Sequence, residues 1–212
     1  MVISEAVACG VELEVLALRE GVAFSAPADR VVRLAERAFS SVSQTVTPQG
    51  VLAIGRRYEA PVADALAAAG AARWPLIVLD GVQDPGNVGA VCRTAAAAGA
   101  RAVAALEGSA DPFSPKAVRA SAGTVFRLVI SRGRWSELSA WAGFGAAARG
   151  GESYLDADLA RRPLLAFGNE ARGIQRKDLE LVTIPMAPGV ESLNVAAAAA
   201  ILLFEIRRRL EA

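Results

Sequence analysis

From Trp74 to the C-terminus, short apolar runs alternate with helical stretches, and this alternation restricts the fold more than any other feature. Leu76–Leu79 is a compact run with no polar face, which reads as a strand covered on both sides. Asn87–Ala98 follows as a helix stopped by Gly99, then Ala102–Leu106 as a second strand and Pro115–Ala122 as a helix. Val125–Ile130 reads as a third strand and Trp135–Ala142 as another helix. Leu164–Phe167 and Val182–Ile184 read as further strands, and Leu193–Leu210 as a long closing helix. Strands separated by helices cannot close as hairpins, so the pattern predicts an α/β domain with a largely parallel sheet over residues 74–212. Upstream the texture differs. Val11–Leu18 reads as a strand, Ala28–Phe39 as a helix and Gly50–Ile54 as a strand, giving a small α/β domain over residues 1–57. The Ala-rich stretch 58–73, with Pro61 and Gly70, reads as a linker carrying a short helix at Pro61–Ala69.

Composition narrows the chemistry. With 212 residues, 53% hydrophobic and 21% charged, the chain has ample material for a core. Its net charge of +1 weakens a reading as a generally basic nucleic-acid binder, so any contact with nucleic-acid phosphates would have to come from local basic patches. The absence of histidine removes His triads, His metal sites and His acid–base catalysis. Cys9 and Cys92, the only cysteines, make no zinc site and read as buried, reduced thiols; no metal is expected. The best apolar run, Val195–Phe204, is too short for a membrane span and leads into Arg207–Arg209, which reads as a solvated helix end. No basic region precedes an apolar stretch at the N-terminus, so a cytoplasmic protein is expected.

Three glycine-containing turns carry the candidate chemistry. The first is DGVQDPGNVGAVCRTA, Asp80 to Ala95. Here a strand ends, a turn forms at Asp84–Asn87, Asn87 is placed to cap the helix, and Gly89 permits close approach in its first turn. The free N–H groups of that helix start favour an anion, yet the run is neither a dinucleotide fingerprint nor a P-loop. The second is LLAFGNEARGI, Leu164 to Ile174, where an amide and a carboxylate follow a buried strand at the usual ligand position of parallel sheets. The third is VTIPMAPGVESLNVAA, Val182 to Ala197, where Ser192 or Asn194 opens the last helix. Each alone also reads as an ordinary turn with solvated polar residues.

In this order the three resemble the motifs of the SpoU (TrmH) family of RNA ribose 2′-O-methyltransferases: Asn87 to Thr94, Gly168 to Gly173, and Ile184 to Val195. The intervening DPFSPKAVRASAGTVF, Asp111–Phe126, also resembles the family, and the likeness runs from Leu76 to the C-terminus. TVTPQGVLAI, Thr45–Ile54, resembles the end of the family's small ribosomal-protein-like substrate-binding domain. The first strand and glycine turn that usually open that domain have no counterpart before Ile3, which implies an N-terminally shortened domain.

The resemblance implies a parallel α/β domain with a deep trefoil knot, S-adenosylmethionine as cofactor, a homodimer, and structured RNA as substrate. Ribosomal RNA is favoured; transfer RNA, or a non-catalytic RNA-binding relative, is the alternative. It further implies that Gly168, Asn169, Ile184, Met186 and Leu193 hold the cofactor. Asn87, Arg93, Glu170, Ser192 and Asn194 would form the catalytic site. The family gives its motif-one arginine, here Arg93, the role of base. A guanidinium resists deprotonation, so Arg93 is either desolvated and tuned by neighbours or a clamp for substrate phosphate. RNA contacts are expected from Arg30, Arg33 and Arg37, spaced as one helical face, and from Lys116 and Arg119, which share another. An oxidoreductase that binds a nucleotide is the remaining class, and the missing dinucleotide fingerprint speaks against it.

Overall fold

The computed structural model describes residues 2–43 and 47–212; Thr45 and Val46 of the TVTPQGVLAI segment lie outside the described residues. The chain divides into two compact units, residues 1–58 and 59–212.

The first unit holds helix α1 (Val2–Ala8), strands β1 (Leu13–Arg19) and β2 (Arg30–Leu34), helix α2 (Glu36–Val42) and strand β3 (Val51–Gly55). The sheet order is β2-β1-β3, with β2 parallel and β3 antiparallel to β1. Strand β1 alternates as a half-buried strand should, sending Leu16 and Leu18 inward to pack with Phe39 of α2 in the buried set. The helix expected over Ala28–Phe39 is therefore corrected: its first half is strand and only its second half is helix. The β-branched pair Val31-Val32 suits a pleated edge, and pairing with β1 decides the matter. Arg30 and Arg33 consequently lie on β2, three residues apart and so on opposite faces, while Arg37 lies on α2. All three are exposed, but they do not share a helix face.

The second unit opens with helix α3 (Val62–Ala71), whose Val62, Ala65 and Ala69 are buried against the sheet. The stretch read as a linker thus supplies a packed helix. Strands β4 (Leu76–Asp80), β5 (Ala102–Leu106), β6 (Val129–Gly133), β7 (Gly143–Ala147), β8 (Glu152–Ser153), β9 (Leu164–Gly168) and β10 (Glu180–Thr183) form one seven-stranded sheet in the order β6-β5-β4-β9-β7-β10-β8. Every pairing in it is parallel. Helices α4 (Pro85–Ala98), α5 (Pro115–Ala120) and α6 (Val195–Leu210) complete the unit. Residues of β4 alternate between two cores: Ile77 and Leu79 join the α4 and α6 side, Leu76 and Val78 the α3 side. Burial on both faces is why β4 reads as an unbroken apolar run.

The largest departures from the sequence pattern in this unit fall in two stretches, while helices α4 and α6 begin only two residues away from expectation, at Pro85 and Val195. Thr124–Arg127 forms a 3-10 turn, and the third strand begins only at Val129. Trp135–Leu138 is likewise one 3-10 turn, followed by the unexpected strand β7. Glycine hid that strand. A Cβ on Gly143 would come within 2.5 Å of Leu164 Cβ, so the residue is required for β7 to approach β9. The end of α6 is also not simply solvated. Arg209 donates to the carbonyls of Tyr154, Leu155 and Ala157, and Arg207 donates to the Ala97 carbonyl near the end of α4. Arg208, and after it Arg209, hold the Glu205 carboxyl down at about 2. No described helix is long and apolar enough to cross a membrane.

Candidate active site

The chain runs from β4 outward to β5 and β6, then returns to place β9 on the other side of β4. The carboxyl ends of β4 and β9 therefore flank a topological switch point, where open parallel sheets hold their ligands. Asp80 and Gly168 lie opposite each other in register there. The loop after β9, the segment between β10 and α6, and the inner face of α6 enclose a cavity of about 340 Å³. Its wall includes Gly168, Asn169, Glu170, Ile184, Met186, Ser192 and Leu193, all singled out from the sequence. Sequence reasoning missed Ala146–Ala148 at the end of β7, and Arg172, Arg176 and Lys177.

Each loop is shaped by local chemistry. Gly168 must be glycine: a Cβ there would meet the backbone of Gly173 and Ile174 at 2.4–2.6 Å. Asn169 organises the turn that follows. Its Oδ1 accepts from the N–H groups of Ala171 (2.9 Å) and Arg172 (3.0 Å), and its Nδ2 donates to the Gly81 carbonyl (3.0 Å). Arg176 is tied to Asp178 and to the carbonyls of Leu138 and Ser139, and Lys177 donates to the Ile174 carbonyl. Between Ile184 and Leu193 one backbone hydrogen bond forms among the described residues, Val190 N–H to the Ala187 carbonyl (3.2 Å). The other peptide groups of that segment remain available to a bound molecule.

The first motif opens α4 differently from expectation. Asp84, not Asn87, occupies the N-cap position, and its side chain makes no cap hydrogen bond. Lys116 pairs with Asp84 and holds its carboxyl below the usual range. Asn87 is thereby left for longer-range work. Its Nδ2 donates to Glu170 Oε1 (2.8 Å), and its Oδ1 accepts from Asn194 Nδ2 (3.1 Å). Asn194 also caps α6, its Oδ1 accepting from Ala196 and Ala197 N–H. One polar chain, Glu170–Asn87–Asn194, thus joins all three turns. Gly89 serves helix packing: a Cβ there would lie 2.2 Å from the Ala117 carbonyl oxygen of α5.

Arg93 stands apart. It is exposed, forms no ion pair or hydrogen bond among the described residues, and is not in the cavity wall. Six residues beyond Asn87, it projects from a different side of α4. Arg119 is also exposed, one turn from Lys116 on α5. Cys92 is buried among apolar neighbours, which pushes its thiol up to about 12 and leaves it inert.

Residues 75–204 match the model of the SpoU rRNA Methylase family. The chain belongs to this family. Among its relatives is the 23S rRNA (guanosine(2553)-2′-O)-methyltransferase RlmP of Bacillus subtilis, 36% identical over 185 residues, covering 82% of this chain and 71% of that protein. The 23S rRNA (guanosine-2′-O-)-methyltransferase RlmB of Xanthomonas axonopodis pv. citri is 34% identical over 95% of this SpoU-family chain and 84% of its own. The structure of an AdoMet-bound rRNA methyltransferase from Sinorhizobium meliloti superposes with a TM-score of 0.83 at 28% identity, covering 99% of this chain and 85% of that one.

Proposed function

We propose that this SpoU-family protein transfers a methyl group from S-adenosylmethionine to a ribose 2′-hydroxyl of ribosomal RNA, acting in the cytoplasm. The observation that carries this reading is the hydrogen-bonded chain Glu170–Asn87–Asn194, which gathers three motifs beside a mostly apolar cavity. The cavity fits the cofactor by its chemistry. Ile184, Leu193, Val195 and Ala198 offer an apolar wall for a purine, and the unbonded peptide groups of 184–193 can read its edge. Gly168, Asn169 and Met186 would complete this pocket. The closing segment is taken to thread as a trefoil knot; the insertion of β9 between β4 and β7, with both loops walling one cavity, supports this.

When bound, S-adenosylmethionine supplies a methyl already activated by its sulfonium. The protein's task is to align the hydroxyl with the methyl; as the O–C bond forms and the S–C bond breaks, the hydroxyl proton passes to solvent water. Asn87 and Asn194 fix each other and Glu170, whose Oε2 is left to orient the ribose; Ser192 lines the same wall. Arg93, exposed and without a partner among the described residues, serves as a clamp for the phosphate beside the target ribose. Further phosphate contacts come from Lys116 and Arg119, and from Arg30, Arg33 and Arg37 on the smaller unit.

Calorimetry tests the cofactor reading: the protein should bind S-adenosylmethionine equally with and without a chelator. Binding abolished by chelator and restored by a divalent ion would contradict it. The active form is a homodimer paired through α6. Ala197, Ile201 and Phe204 recur at helical spacing on α6 and stay exposed, Phe204 to 47%, while the opposite face of α6 is buried; Leu193, grouped with them on the sequence, precedes the helix and lines the cavity instead. Light scattering at micromolar concentration should give twice the chain mass; a monomer would contradict the pairing.

A further inference from the structure

We infer that Asp80 is a positioning residue for the cofactor loop, acting through the backbone of Gln175. This rests on the cofactor reading above. Asp80 ends β4 and is 1% exposed. Its Oδ2 accepts from Gln175 N–H at 2.6 Å; its Oδ1 has no hydrogen-bond partner, and no cation pairs with it among the described residues. A buried carboxylate without a cation is costly, so a neutral apolar residue would serve a purely structural strand end better.

What Asp80 secures is the far arm of the loop after β9. The near arm hangs from Asn169, which bridges the Gly81 carbonyl to the N–H groups of Ala171 and Arg172. The far arm hangs from Asp80 at Gln175. Glu170, Arg172, Gly173 and Ile174, which wall the cavity, lie between the two supports. The supports themselves are fixed by Ser109. Its hydroxyl accepts from Gly81 N–H (2.9 Å) and Val82 N–H (3.2 Å) and donates to the Leu79 carbonyl (2.9 Å). Asp80 thus sits inside a turn that is itself held rigid, and its acceptor oxygen sets where the loop returns toward the core. The hydrogen bond is short, 2.6 Å, and links segments far apart in sequence.

The test uses the full chain with S-adenosylmethionine as probe. Asp80→Ala should weaken its binding by roughly 10- to 100-fold, the range for leaving a hydrogen-bond donor without its partner. The KM for RNA should stay unchanged. Asp80→Asn keeps an acceptor for Gln175 and should recover affinity to within about threefold of wild type. Affinity within twofold of wild type in folded Asp80→Ala overturns the inference, as does an Asp80→Asn no better than Asp80→Ala. If Asp80→Ala does not fold, Asp80→Val, which also lacks an acceptor, takes its place with the same expected loss and the same overturning result. Amide exchange at Gln175 should quicken as cofactor affinity slips; faster exchange with unchanged affinity counts against the brace. Failure of the wild type to bind S-adenosylmethionine would instead remove the cofactor reading, and this inference with it.

Discussion

Replacing Arg93 with alanine should lower methyl transfer by at least about 100-fold, the scale for losing a positioned charged or acid–base group. Folding and cofactor affinity should remain near wild type, because the side chain is exposed and lies outside the cavity wall. Arg93→Lys separates the roles that the sequence leaves open. Lysine keeps the charge and releases a proton more readily, but lacks the planar fork. As a bidentate phosphate clamp, Arg93 predicts that Lys is nearly as poor as Ala at every pH. As a base, it predicts partial activity with a lower pH optimum. Single-turnover transfer on a verified RNA across pH distinguishes them, and near-wild-type turnover in Arg93→Ala would remove Arg93 from the mechanism.

The second large effect is expected at Gly168. An alanine Cβ there meets the backbone of Gly173 and Ile174, not a side chain that can rotate away. The loop must shift, at a cost of about 1–3 kcal/mol for overpacking. Because the same loop walls the cavity, cofactor affinity should drop at least roughly tenfold, a penalty of about 1.4 kcal/mol. Gly70→Ala, in α3 with open space around it, is the matched control and should be neutral or slightly stabilising. Thermal melts and calorimetry on both variants check this; equal behaviour of the two would contradict the assigned crowding at Gly168.

Where local pattern and tertiary demand agree, the fold was legible. The unbroken runs of β4, β5 and β9 are apolar because both faces are covered, so their periodicity needs no partner to be read. Strand β7 was not legible: Gly143 and Gly145 weaken strand propensity, and the reason for glycine is the closeness of β9, a contact between residues far apart in sequence. The helix misread over Ala28–Phe39 failed for a related reason, since pairing with β1 outweighs a chance helical spacing of arginines. At the site, the motif spacings located the residues but not their bonds. Asn87 looked like a cap because its type and position fit one. Its partners, Glu170 and Asn194, stand 83 and 107 residues away, and no local rule reaches that far. Asp80 and Ser109 escaped notice for the same reason: one ended an apolar run, the other sat in a polar turn, and their roles appear only when β4, β5 and β9 are side by side.

Alkaline hydrolysis of labelled product distinguishes methyl transfer to a ribose oxygen of ribosomal RNA from transfer to a base. Purified protein is given methyl-labelled S-adenosylmethionine and deproteinised ribosomal RNA, and the product is then cleaved with alkali. Cleavage requires a free 2′-hydroxyl, so methylation at that oxygen leaves an uncut dinucleotide carrying the label. The label is expected only in such dinucleotides, and reduced at least about 100-fold with Arg93→Ala. Label released as mononucleotide, which marks a methylated base, or no transfer by the wild type to any ribosomal RNA, would contradict the proposed transfer.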